Sequence, residues 1–77
     1  MNEKEINDIL NDQKNAEVVD IFKYKEYYYI KAVRLDEKDI IYVYYKLDDN
    51  KNISEVKDKE LLKHLKKTHE IHQKRIF

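Results

Sequence analysis

The chain reads as a single α+β domain over residues 1–77, with a helix, a three-stranded antiparallel meander and a second helix in that order. Three observations carry this reading. Two segments, one toward each end, space their apolar residues at helical intervals. Three segments between them are rich in β-branched and aromatic residues. The breaks between those segments are two and four residues long, which forces neighbouring strands into hairpins.

The first helix is predicted over residues 2–14. Asn2 can cap it, with Glu5 three positions on, and Ile6, Ile9 and Leu10 form one narrow apolar stripe. The strands are predicted at 17–24 (EVVDIFKY), 27–35 (YYYIKAVRL) and 40–47 (IIYVYYKL). The Lys25-Glu26 turn contains no glycine or asparagine, so a positive φ is expected there at some cost in strain. Residues 48–52 (DDNKN) form a polar loop, and the last helix follows from about Ser54 to Arg75. Either Ser54 or Asp58 can cap it, and Val56, Leu61, Leu62, Leu65 and Ile76 supply its apolar side.

Composition bounds the function. With 77 residues and no cysteine, the domain has neither disulfides nor thiolate zinc sites to support a small core. Charged and hydrophobic residues each make up 42% of the chain, and the seven tyrosines and two phenylalanines argue for a folded state despite the charge. Net charge is zero, unlike a general nucleic-acid binder or an acidic DNA mimic. The charge is uneven, however: residues 1–22 carry six acids against two lysines, and residues 61–77 carry five bases against Glu70. No apolar run is long enough to span a membrane, and no signal-peptide core is evident, so a cytoplasmic protein without membrane contact is expected. The Lys, Ile, Asn and Tyr bias fits an AT-rich genome such as that of a low-GC bacterium or its phage.

Hairpin geometry predicts the register. Leu35 should face Ile40, and Tyr24 should face Tyr27. One sheet face then collects Val19, Ile21, Tyr28, Ile30, Ala32, Ile41, Val43, Tyr45 and Leu47, an apolar floor for both helices in a two-layer domain. The other face collects Val18, Asp20, Phe22, Tyr24, Tyr27, Tyr29, Lys31, Val33, Leu35, Ile40, Tyr42, Tyr44 and Lys46. Its cross-strand rows read Asp20–Lys31–Tyr44, Phe22–Tyr29–Lys46 and Val18–Val33–Tyr42, so an acid meets a lysine and aromatics flank lysines. If both helices pack on the first face, this second face is an exposed aromatic and basic surface.

Candidate chemistry is sparse. His69 and His72 share a helix face but lack the further ligands a metal site needs. Ser54 and Thr68 are the only hydroxyls besides tyrosine, and there is no glycine to build a phosphate loop. The chain is therefore expected to be no enzyme, and to need no cofactor or metal. The order of elements is that of double-stranded-RNA-binding domains, but the glycine-containing loops and the lysine cluster opening that family's last helix are absent; here that helix begins SEVKDKE.

The sequence thus predicts a protein–protein interaction module, of the kind small phage or mobile-element inhibitors of host defence proteins use. The expected binding residues are Phe22, Tyr29, Lys31, Tyr42, Tyr44 and Lys46 on the sheet, with Lys66 and Lys67 on the last helix. A homodimer joined through the tyrosine face or through edge strands is a second form of this reading. The alternative is a nucleic-acid-binding domain, stacking bases on the same tyrosines beside lysines.

Overall fold

Asn2 opens the first helix as its sequence position suggests: its side-chain oxygen accepts the Glu5 N–H at 2.9 Å. The computed structural model describes residues 2–36 and 38–76, with side chains for all of these except 36 and 72–76. Its elements are α1 (Glu3–Lys14), β1 (Ala16–Tyr24), β2 (Tyr27–Asp36), β3 (Asp39–Leu47), β4 (Ile53–Glu55) and α2 (Lys59–Ile76). Helix α1 ends on Asn15, which takes a left-handed φ of 52° and donates its N–H to the Leu10 carbonyl.

The strands form one antiparallel sheet in the order β1-β2-β3-β4. The α+β class and the helix–meander–helix order hold, and β2 pairs with β3 in the predicted register, from Tyr28 opposite Leu47 to Leu35 opposite Ile40. The Lys25-Glu26 turn carries the expected strain, with Lys25 at φ 58°. A non-glycine residue in this region costs about 1–2 kcal/mol.

Three features differ from the sequence expectation. First, β1 carries a bulge. Its pairing with β2 slips between Val18 and Asp20, so Val18 lies opposite Ala32 and Glu17 opposite Val33. The predicted faces of Val18 and Val19 therefore fail: Val18 packs on the α1 core, and Val19 is largely exposed. Two side chains supply acceptors along the distorted strand. Asn7 Oδ1 takes the Val18 N–H at 3.0 Å, and Asp20 Oδ1 takes the Ile21 N–H at 2.9 Å.

Second, residues 48–52 form a tight turn into a fourth strand. Asp48 Oδ1 accepts the N–H groups of Asn50 and Asn52, both at 2.9 Å. Strand β4 then pairs with Tyr45–Leu47, and the Val56 N–H donates to the Tyr44 carbonyl at 2.8 Å. Ser54 is thus a strand residue. Asp58 caps α2 instead, accepting from the N–H groups of Glu60 and Leu61.

Third, the helices lie on opposite faces of the sheet, not both on one. Helix α1 sets Ile6 and Leu10 on Ala16, Ile30, Ala32 and Tyr45. Helix α2 sets Leu65, with Leu61 and Leu62, on Phe22, Tyr29, Tyr44 and Val56. Neighbouring residues of a strand point to opposite faces, so Ile30 beside Tyr29 and Tyr45 beside Tyr44 demand cover on both sides. The result is three layers with two small cores.

The first core holds one flaw. Among the described residues the Tyr45 hydroxyl is buried with no hydrogen bond of good geometry, although the Arg34 guanidinium is near enough to act on it. Burial, the largest influence, and Glu55 push its pKa up, against an opposing pull from the Arg34 guanidinium. Arg34 itself reaches Glu55 at 3.5 Å. A Tyr45→Phe variant should lie within about 1 kcal/mol of the parent in stability, because the hydroxyl's desolvation cost and its attraction to Arg34 oppose each other. Urea unfolding measures this; a clear loss would mean that the Arg34 contact outweighs the desolvation.

Candidate functional site

The face under α2 divides into three zones along the strands. At its centre, α2 turns the aromatic residues into core. Phe22, Tyr29 and Tyr44 are 3%, 5% and 4% exposed. The Phe22 ring meets Tyr44 edge-on at 6.2 Å and Tyr29 at 6.4 Å. His69, 2% exposed, sits 5.4 Å from the Phe22 ring and places Nε2 3.0 Å from Asp20 Oδ2. Three of the eight residues expected to bind a partner are therefore interior, since the helix expected over the other face covers them.

The second zone lies at the β1–β2 turn, beside the first turns of α2. A cleft of about 400 Å³ opens there, lined by Tyr24, Lys25, Glu26, Tyr27, Tyr29, Lys46, Leu61 and His64. Three of its basic groups sit against aromatic rings. Lys46 Nζ is 3.8 Å from the centroid of Tyr27, and Lys25 Nζ is 5.5 Å from that of Tyr24. The His64 ring lies nearly parallel to Tyr24, at 6.3 Å and 12°. Burial above all, then the neighbouring phenols of Tyr24 and Tyr27, raise the pKa of Tyr29, so its hydroxyl remains a neutral donor at ordinary pH.

The third zone is the far end of the β2–β3 arm, beyond α2. Leu35, Ile40 and Tyr42 are 64%, 65% and 60% exposed. Leu35 lies directly opposite Ile40, Tyr42 lies opposite the half-buried Val33, and Lys31 holds its ammonium 4.9 Å from the Tyr42 ring. Of the expected site residues, then, Lys31 and Tyr42 meet here, Lys46 belongs to the cleft, and Lys66 and Lys67 are exposed on α2. Leu35 and Ile40 were placed on this face by register, but nothing in the sequence marked them as its most exposed part. Tyr24, Tyr27, Leu61 and His64 come together only because α2 crosses this face. The expected Asp20–Lys31 row exists in the backbone register, and the Asp20 carboxylate also engages His69.

No group of three or more potential metal ligands forms among the described residues. The imidazole of His69 is engaged with Asp20, and the side chain of His72, its expected partner in a metal pair, lies outside the described residues. No described helix is long and apolar enough to cross a membrane. Comparison with protein-family models, curated proteins and solved structures finds no match, so the three zones are read from their own chemistry.

Truncation separates core from surface on this face. Tyr44→Ala should cost about 3–5 kcal/mol, as for other buried aromatics, whereas Tyr42→Ala should cost under about 1 kcal/mol, mostly its contact with Lys31. Chemical denaturation of the two variants checks this; equal losses would contradict the division. The raised phenol pKa values also set an alkaline limit. Burial first, and Glu70 second, raise Tyr44; Tyr29 and Tyr45 are raised as described. As pH rises through the ordinary tyrosine value, near 10, the unfolded chain loses these protons before the folded one does. Stability should then fall with rising pH. Thermal melts between neutral pH and pH values above that point should show a falling Tm.

Proposed function

We propose that this domain is a non-catalytic protein–protein interaction module whose contact surface is the uncovered β2–β3 arm. One observation carries the reading: Leu35, Ile40 and Tyr42 stand side by side on the same sheet face, each about two-thirds exposed (60–65%). Large apolar side chains clustered in this way on a small domain mark an interaction surface, and tyrosine is enriched at such surfaces.

The backbone adds a second attraction. The Val56 N–H bonds to the Tyr44 carbonyl across the outer edge of β3. Alternate residues point their peptide groups the same way, so Ile40 and Tyr42 also direct N–H and C=O outward. Strand β4 pairs only with Tyr45–Leu47, and no described strand lies beside Asp39–Val43 on that side. An extended segment of a partner protein can add here as a further strand, with its side chains against Ile40, Tyr42 and Leu35. A small inhibitor of a larger host protein, as size and composition suggest, is the form of this reading we favour.

The test is a double variant, Leu35→Glu with Ile40→Glu, compared with the parent by circular dichroism, thermal melting and sedimentation. Both side chains are exposed, so fold and Tm should hold, while self-association or retention of a partner is lost. Equal association by parent and variant would contradict this surface.

A further inference from the structure

We propose that the cleft at the β1–β2 turn is a nucleotide-binding site, which takes a base against its tyrosine–histidine wall and a phosphate on Lys25 and Lys46. This goes beyond the contact surface on the β2–β3 arm, since the two turns lie at opposite ends of β2. The volume, about 400 Å³, falls within the range of small-ligand pockets. Tyr24 and His64 supply flat faces, their rings already nearly parallel, while Tyr27 holds Lys46 over its own ring. Aromatic platforms of this kind bind any base through its π-face.

The charge at the cleft matches this ligand. Lys25 and Lys46 line it against Glu26 alone. Lys46 is held 3.8 Å from the Tyr27 ring, so one ammonium is fixed in the cleft lining, where a phosphate can pair with it. The Tyr29 hydroxyl, kept protonated by burial, adds a donor to the lining. A phosphopeptide fits less well, because recognition of phosphorylated side chains relies on clustered arginines. The one arginine with a described side chain, Arg34, pairs with Glu55 on the α1 side of the sheet. Zero net charge suits a ligand of one or a few nucleotides, because long tracts draw their affinity from many phosphate contacts.

The test is an amide-resolved NMR titration of the whole chain with adenosine monophosphate, adenosine, inorganic phosphate and a short oligothymidylate. The monophosphate should shift the amides of Tyr24, Lys25, Glu26, Tyr27, Lys46 and His64 saturably, and leave those of Ile40 and Tyr42 in place. It should bind more tightly than adenosine or phosphate alone. Lys46→Met should weaken it by about tenfold, the effect of one charged contact. The exposed His64→Ala, which spares the fold, should also weaken it. Tighter binding of the oligothymidylate, with strong salt dependence, supports the site with single-stranded nucleic acid as the source. Equal binding of the monophosphate supports it with a free nucleotide. No saturable shift, phosphate binding as tightly as the monophosphate, or undiminished binding by both variants overturns the proposal. None of these results depends on the β2–β3 arm.

Discussion

The structure depends on one constraint: a sheet whose strands carry large apolar side chains on both faces has to be covered on both. Ile30, Ala32 and Tyr45 alternate along β2 and β3 with Tyr29 and Tyr44, and each set lies within a few per cent of full burial. Burial of apolar area is the main favourable contribution a chain this small has, at roughly 25 cal/mol per Å². Stacking both helices on one face would forgo about half of it. The chain instead sends α1 to one side and, through β4 and the Asp58 cap, α2 to the other. Helix α2 is narrow, and it seals the middle of the aromatic face while leaving both ends. The cleft and the apolar arm are those two ends, so both candidate sites follow from how the second core was completed.

The sheet's open edges are treated differently. Along β1, a bulge interrupts the ladder, and the Asn7 and Asp20 side chains take N–H groups there. Interruptions of this kind keep an edge from recruiting another strand. The Asp20 carboxylate also bonds to the buried His69, so the distorted part of β1 is tied to α2 as well. Along β3 the protection stops early, because β4 is three residues long. The contrast leaves the β3 edge without a described neighbour beside Ile40 and Tyr42, where the exposed apolar side chains already lie.

Much of this was legible in the sequence, and the gaps have physical reasons. The β2–β3 register followed from loop length and alternation, because slipping one residue would put Ile30 and Ala32 on the wrong face. The α1 cap was legible in Asn2 and Glu5. The bulge was not: Val18 and Val19 are adjacent and equally apolar, so either can face the core, and no glycine marks the irregularity. Strand β4 was hidden in a segment that also suits the approach to a helix, since three residues carry no periodicity. The side chosen by α2 was the costliest gap. An amphipathic stripe such as Leu61, Leu62 and Leu65 shows that a helix docks, not on which face, and that choice moved Phe22, Tyr29 and Tyr44 from expected surface to core.

The absence of glycine bears on the cleft as well as the fold. Three described residues take positive φ: Asn15, Lys25 and Lys51. Asparagine tolerates this conformation, and at Lys51 the Asp48 carboxylate gathers two N–H groups around the turn, which compensates locally. At Lys25 the strained residue is itself part of the cleft lining, with its ammonium near the Tyr24 ring. Asparagine or glycine would relieve the backbone there but remove one of the cleft's cations. Strain of about 1–2 kcal/mol is large for a domain this small, and strained residues concentrate where a site needs them. If the proposed nucleotide site holds, the strained turn keeps a positive charge at the mouth of an aromatic cleft, where a phosphate would make use of it.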